Sequence, residues 1–377
     1  MYVTRYGWLS RHLTSSILLV MLLSAATFAG ASDDPPPGPP PDLLEAGRRA
    51  FTNGNYRQAE YYFRSAAGEA ESRSTAGTEL AFALIDLGNV LLIEGKSDEA
   101  EIHLDRAVSI SRSNPSANKQ QLPIILGVLG KLYDQTGRID RAESVLQEAL
   151  QLGRKLLADQ PQYQSDLHNN IGVLHLKKGK RKQAESDFKT ALTLIEKTAV
   201  ENDGRKAAIL ANLSALYFVQ QKLDLAEATL LRSIELVERT QGPNHPNICA
   251  LLDNLGYFYF MQGDLTRSES SLRRDLEIRK TAFGAENPST ASASTVLANV
   301  LAAQGKYDEA GNLFTEALHT QERVLGRGPQ VASTLEQFAS FLRHTNRDAM
   351  AGDLESRAES IRLELRYTVS IKGLRDR

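Results

Sequence analysis

Residues 129–149 read Leu-Gly-Lys-Leu-Tyr-Asp-Gln-Thr-Gly-Arg-Ile-Asp-Arg-Ala-Glu-Ser-Val-Leu-Gln-Glu-Ala. Gly130, Gly137, Ala142, Leu146 and Ala149 of this stretch recur along the chain at an interval of 42 residues. Gly130 aligns with Gly88, Gly172, Ser214, Gly256 and Ala298, and Gly137 with Gly95, Gly179, Gln221, Gly263 and Gly305. The Ala142 column holds Ala100, Ala184, Ala226, Ser268 and Ala310, and the Leu146 column Leu104, Phe188, Leu230, Leu272 and Phe314. Ala149 aligns with Ala107, Ala191, Ser233, Asp275 and Ala317. With a one-residue slip the columns extend forward to Gly47, Gly54, Ala59, Phe63 and Ala66, and backward to Ala339, Asn346, Ala351 and Ala358. Atypical end units suit a stacked array, whose outermost repeats have solvent on one side.

Each unit carries two apolar stripes at helical spacing. Leu252, Leu255, Gly256 and Tyr259 mark one, and beyond the Gly263-Asp264 turn Leu265, Leu272 and Leu276 mark the other. The unit is therefore expected to be a helix, a short turn and an antiparallel helix. Small residues in the glycine and alanine columns would let neighbouring helices approach while the large column fills the space between them. On this reading a bulky residue at Gly47 should matter less than one at Gly172, because the first repeat has a single neighbour.

Leu129-Gly130, Tyr133, Ala142, Leu146 and Ala149 resemble the tetratricopeptide pattern of two packed helices. The longer unit, with connectors such as Gly242-Pro243-Asn244-His245-Pro246 and Gly284-Ala285-Glu286-Asn287-Pro288, is similar to the variant of kinesin light chains and many bacterial proteins. The resemblance implies an all-α fold, a right-handed superhelical solenoid of about eight hairpins over residues 42–365. It also implies a concave groove lined by the first helices.

The flanks differ in composition. Arg5 and Arg11 precede an apolar run ending at Phe28, and Ala29-Gly30-Ala31 forms an A-x-A site, so residues 1–31 are expected to be a secretory signal peptide cleaved before Ser32. The run is shorter than the roughly 20 apolar residues of a spanning helix, so no stable membrane span is expected after cleavage. The product would be secreted or periplasmic. Residues 32–41, rich in proline, read as a semi-rigid linker, and residues 366–377 as a tail that has lost the helical pattern.

The formal net charge of −2 over 377 residues gives no global basic field for nucleic acid. Cys249, the single cysteine, excludes an internal disulfide and reads as a packing residue. Gly88 to Ser97 ends like a phosphate-binding loop, but six residues rather than four separate its glycines. His168 and His175 lie two turns apart, too far to chelate one ion without a third element, and read as semi-buried packing. Lys177, Lys178, Lys180, Arg181 and Lys182 read as a solvated turn. A carboxylate clamp is disfavoured, because Ile85 and Thr295 stand where it needs lysine beside Asn89 and Asn299. No catalytic residue, cofactor site or metal site is expected.

Two residues before the glycine column stand Asn170, Asn212 and Asn254, in three consecutive repeats. By the resemblance this position points into the groove, flanked by Val173, Leu176, Phe218, Tyr257 and Phe260. Asparagine both donates and accepts, so such a ladder could pair with an extended peptide's backbone. The alternative is that each amide bonds only to the adjacent helix. The expected function is a non-enzymatic scaffold that holds a protein or peptide in its groove; the rival is a structural subunit of a cell-envelope or secretion assembly.

Overall fold

The structure, a computed structural model, describes residues 42–73, 77–113, 119–198 and 204–375. The expected signal segment and proline-rich linker lie outside the described residues. Those described form sixteen α-helices and no strand, in two units, residues 42–251 and 252–375.

In the first unit the hairpins are α1 (Leu43–Thr52) with α2 (Tyr56–Ser72), α3 (Gly77–Ile93) with α4 (Ser97–Ser113), α5 (Gln121–Gln135) with α6 (Ile139–Leu156), α7 (Pro161–Lys177) with α8 (Arg181–Ile195), and α9 (Gly204–Val219) with α10 (Leu223–Gln241). A 3₁₀ turn, Pro246–Ile248, then leads into α11 (Cys249–Gln262), within which the division falls. The second unit pairs α11 with α12 (Leu265–Phe283), α13 (Pro288–Ala303) with α14 (Tyr307–Leu325), and α15 (Pro329–His344) with α16 (Asp348–Arg375). The last helix runs past residue 365, where the helical pattern was expected to end.

The columns have distinct physical roles. Each glycine of the first column faces the large residue of its own hairpin: a Cβ would stand 2.4 Å from Phe63 at Gly47, 2.4 Å from Leu146 at Gly130 and 2.6 Å from Phe188 at Gly172. This corrects the expectation for Gly47, since the close approach lies inside a hairpin and the end repeat has it in full. Serine replaces glycine or alanine where its hydroxyl finds a backbone acceptor. Ser214 Oγ donates to the Ala226 carbonyl and Ser268 Oγ to the Gly256 carbonyl, each at 2.7 Å. The second glycine column closes each turn. Gly95 has φ +77°, and the bonds Gly95 N to Leu92 O and Lys96 N to Leu91 O make a Schellman cap. Gln221 and Asn346 occupy the same left-handed conformation without being glycine, at φ +61° and +58°.

Neighbouring hairpins are tied by ion pairs reaching one repeat along, such as Arg64 to Glu99 at 2.7 Å and Arg138 to Glu101 at 2.7 Å in the first unit, and Arg273 to Glu309 at 2.7 Å in the second. Successive first helices pack closer to one another than second helices do, so each unit has its first helices on the inner side. In the first unit the opening hairpin also meets the connector ahead of α11. Tyr56 Oη donates to Asn247 Oδ1 at 3.1 Å, Asn247 Nδ2 donates to Gln241 Oε1 at 2.9 Å, and a Cβ at Gly54 would stand 3.6 Å from Pro246.

Candidate functional site

The asparagine positions lie on first helices, and in the first unit their amides are committed to the neighbouring repeat. Asn170 Nδ2 on α7 donates to the Gly127 carbonyl of α5 at 3.2 Å, and Asn212 Nδ2 on α9 donates to Asn169 Oδ1 of α7 at 2.9 Å. Asn170 is half-buried, whereas Asn212 is only 3 % exposed. Both bonds are of the helix-to-helix kind that the sequence left open as the alternative. Val173 and Leu176 are buried in a cluster with Phe188, Ile209 and Leu216, and Phe218 is half-buried on α9. In the second unit Asn254 and Tyr257 are buried and Phe260 half-buried. Tyr257 and Phe260 line a cavity between α11, α12 and α13, and desolvation there raises the Tyr257 phenol above its ordinary value.

The inner side of the first unit carries a second set of residues that the repeat columns do not mark. Arg48 on α1 donates from Nε to Asp86 Oδ2 on α3 at 2.8 Å, and Arg205 on α9 donates from Nε to both oxygens of Asp166 on α7 at 3.0 and 3.1 Å. Lys131 on α5 lies between, within electrostatic reach of Asp166. Tyr163 on α7 has the Arg205 guanidinium 5.9 Å from its ring centre, and it lies within electrostatic reach of Arg48, three hairpins away. Burial pushes the carboxyls of Asp86 and Asp166 up despite their arginine partners, and it pushes the Lys131 ammonium down, with Asp166 partly opposing. The Asp166 side chain is nevertheless 39 % exposed and that of Arg205 45 %. Groups that water reaches but solvates poorly are recessed in a concavity. The sequence signal was available as charge on successive first helices, but the five positions share no column and no period isolates them.

The histidines are brought together by a residue the spacing could not supply. His168 Nδ1 lies 3.3 Å from Asp187 Oδ1 and His175 Nδ1 2.7 Å from Asp187 Oδ2, so one carboxylate of α8 bridges two imidazoles of α7. Among the described residues no group of three or more histidine, cysteine, aspartate or glutamate side chains is arranged to hold a metal ion. The basic turn is largely spent on ion pairs: Lys177 meets Asp134 at 2.7 Å, and Lys178 and Lys180 both meet Glu143. Cys249 is fully buried. No described helix is long and apolar enough to cross a membrane.

The family model of the tetratricopeptide repeat matches residues 79–155, 205–281, 247–318 and 289–364, and a second model of the same repeat matches 165–198. No curated protein matches the sequence. Among solved structures the fold is similar to BtubC (BKLC) from P. vanneervenii, at 17 % identity and a TM-score of 0.54, covering 60 % of this chain and 92 % of that one. A putative kinesin light chain from Podosopora anserina has 18 % identity and a TM-score of 0.45, covering 52 % of this chain and 94 % of that one. A tetratricopeptide repeat protein from Parabacteroides merdae has 20 % identity and a TM-score of 0.43, covering 78 % and 97 %.

Proposed function

The chain belongs to the tetratricopeptide repeat family, and from that premise we propose that it is a non-enzymatic scaffold holding an extended protein segment against its first helices. The observation that carries the reading is the recessed charged row of Arg48, Asp86, Lys131, Asp166 and Arg205, from five successive first helices of one unit. A charged row on an open surface would be well solvated. This one keeps water-accessible charges in a poorly solvating setting, where a bound chain's polar groups interact more strongly than on an open surface. Asn170 and the half-buried Phe218 of the same unit are secondary contacts, while Asn212 serves the stack.

Panning a displayed library of random peptides against the full chain tests this. Selected peptides should bind at least about tenfold more weakly to Lys131→Met, a loss of about 1.4 kcal/mol, with a nearly unchanged melting temperature, since the ammonium removed is itself desolvated. Peptides that bind the variant equally, or a library that yields none, would overturn the groove reading. Export belongs to the same proposal, and N-terminal sequencing of the exported protein should begin at Ser32. A chain retained in the membrane and still carrying Met1 would instead make the first segment an anchor.

A further inference from the structure

The connector between α10 and α11 is capped by a histidine. His245 Nδ1 accepts from the Asn247 backbone N–H at 3.2 Å, opening the 3₁₀ turn Pro246–Ile248. A ring nitrogen that accepts carries no proton, so the imidazole is neutral and its one N–H is on Nε2. Nε2 is buried, faces the Thr52 carbonyl of the first hairpin without reaching hydrogen-bond geometry, and lies 3.8 Å from where a Cβ at Gly54 would stand. The ring therefore sits in the contact between the first hairpin and the connector, beside the bond from Tyr56 Oη to Asn247 Oδ1 at 3.1 Å. The following connector makes the same cap without a histidine. Asn287, 42 residues on, accepts from the Ser289 N–H at 2.8 Å. The cap itself thus needs only an acceptor, and the imidazole stands at the connector that touches the first hairpin.

Titration of that ring has an outcome dictated by its geometry. The nitrogen open to a second proton is Nδ1, and a proton there would point at the Asn247 N–H, replacing a hydrogen bond with two opposed donors. It would also place a charge at a half-buried site. Of the surrounding elements, α2 brings Tyr56 as the titratable side chain and α10 the uncharged Gln241, which accepts from Asn247 Nδ2 at 2.9 Å. Among the described residues no charged side chain acts on the imidazole to offset the cost. We propose that His245 is a pH-sensitive latch: neutral, it holds the connector in the shape on which the first hairpin rests, and protonated, it undoes the turn and frees that hairpin. Burial pushes the imidazole below its ordinary value of 6.5, with the Thr52 carbonyl partly opposing. A base held neutral in the folded state gives support that is complete above its unfolded value and is lost as pH falls from there through the lower folded value. The latch is therefore closed above about pH 6.5 and opens in mild acid. It does not depend on what the groove binds.

The test uses the full chain and His245→Asn, which keeps an acceptor for the Asn247 N–H, as Asn287 does for Ser289, and does not titrate. Nitrogen-15 NMR of the histidine side chains reads the tautomer and the titration midpoint. Hydrogen exchange at pH 7.5 and 5.5, corrected for the intrinsic rate at each pH, compares α1 and α2 with α5 and α6, which carry no histidine. His245 should be the Nε2–H tautomer at pH 7.5 and titrate with a midpoint below 6.5. Protection in α1 and α2 should fall at least about twofold between the two pH values while α5 and α6 keep theirs. In His245→Asn the α1 and α2 protection should be the same at both. An Nδ1–H tautomer at pH 7.5, a midpoint at or above 6.5, unchanged protection of the unaltered chain at pH 5.5, or an equal fall in His245→Asn each overturns the latch. Should His245→Asn fail to fold, the tautomer and the local loss of protection in the unaltered chain decide.

Discussion

Ser214 and Ser268 make the same bond in opposite directions, one from the glycine column to the alanine column and the other the reverse. Two small-residue positions thus accept a hydroxyl only because a carbonyl stands ready across the hairpin, which leaves the buried donor satisfied. Where there is only van der Waals contact the tolerance ends. Gly47→Leu and Gly172→Leu should each cost about 1–3 kcal/mol or more through overpacking against Phe63 and Phe188, as urea melts of the two variants would show. A neutral Gly47→Leu beside a damaging Gly172→Leu would restore the view that the constraint lies between repeats. Gln221 offers the opposite opportunity. Its φ of +61° strains a residue with a Cβ, so Gln221→Gly should raise stability by about 0.5–1 kcal/mol in the same assay.

At the scale of elements, ties between helices explain both what the sequence disclosed and what it hid. The hairpins were legible because a period of 42 repeats one local problem, a close helix contact followed by a left-handed turn, and each column answers part of it. The direction of a side chain within the inner layer was not legible. Asn170 and Asn212 share a register position, yet one reaches a carbonyl and the other an amide oxygen, because the helix before each differs. Asp275, standing in a column otherwise made of alanine and serine, was the one written sign of the buried charge cluster, but its partners Arg279 and Asp253 come from two helices. Asn212→Ala should destabilise by about 0.5–1.5 kcal/mol and leave Asn169 Oδ1 without its donor, whereas Lys131→Met, which removes a desolvated charge, should leave the melting temperature nearly unchanged.

The α12 residue Glu269 gives the elements a pH dependence. Desolvation works to raise its carboxyl, but Lys306, Gln304 and Arg273 together outweigh it and hold the group at about 2. A carboxyl depressed in the folded state contributes stability that is fully present above its unfolded value of 4.5 and is lost as pH falls toward 2. Acid titration of the melting temperature should therefore show a decline in that window that is shallower in Glu269→Gln. Identical slopes would mean that the Lys306 contact at 2.7 Å contributes nothing in solution.

On the scale of the whole molecule, most contacts fall within a hairpin and nearly all the rest join it to its neighbour, and stability is approximately a sum over hairpins and the interfaces between them. The first unit has an exception in the bond from Tyr56 to Asn247. Tyr56→Phe should raise hydrogen exchange in α1 and α2 while leaving the amides of α5 to α8 protected, since only the end hairpin loses a support. Uniform loosening of the unit would show that the contact is needed by the stack as a whole. The consequence for kinetics is larger than for stability. Contacts within and between adjacent hairpins close short loops and form early, whereas this one spans 191 residues and cannot form until the intervening hairpins are in place. Its closure is expected late on the way in and its rupture early on the way out, so the lifetime of this contact, Tyr56 on Asn247 with Gly54 beside Pro246, should show in how often the end of the array breathes.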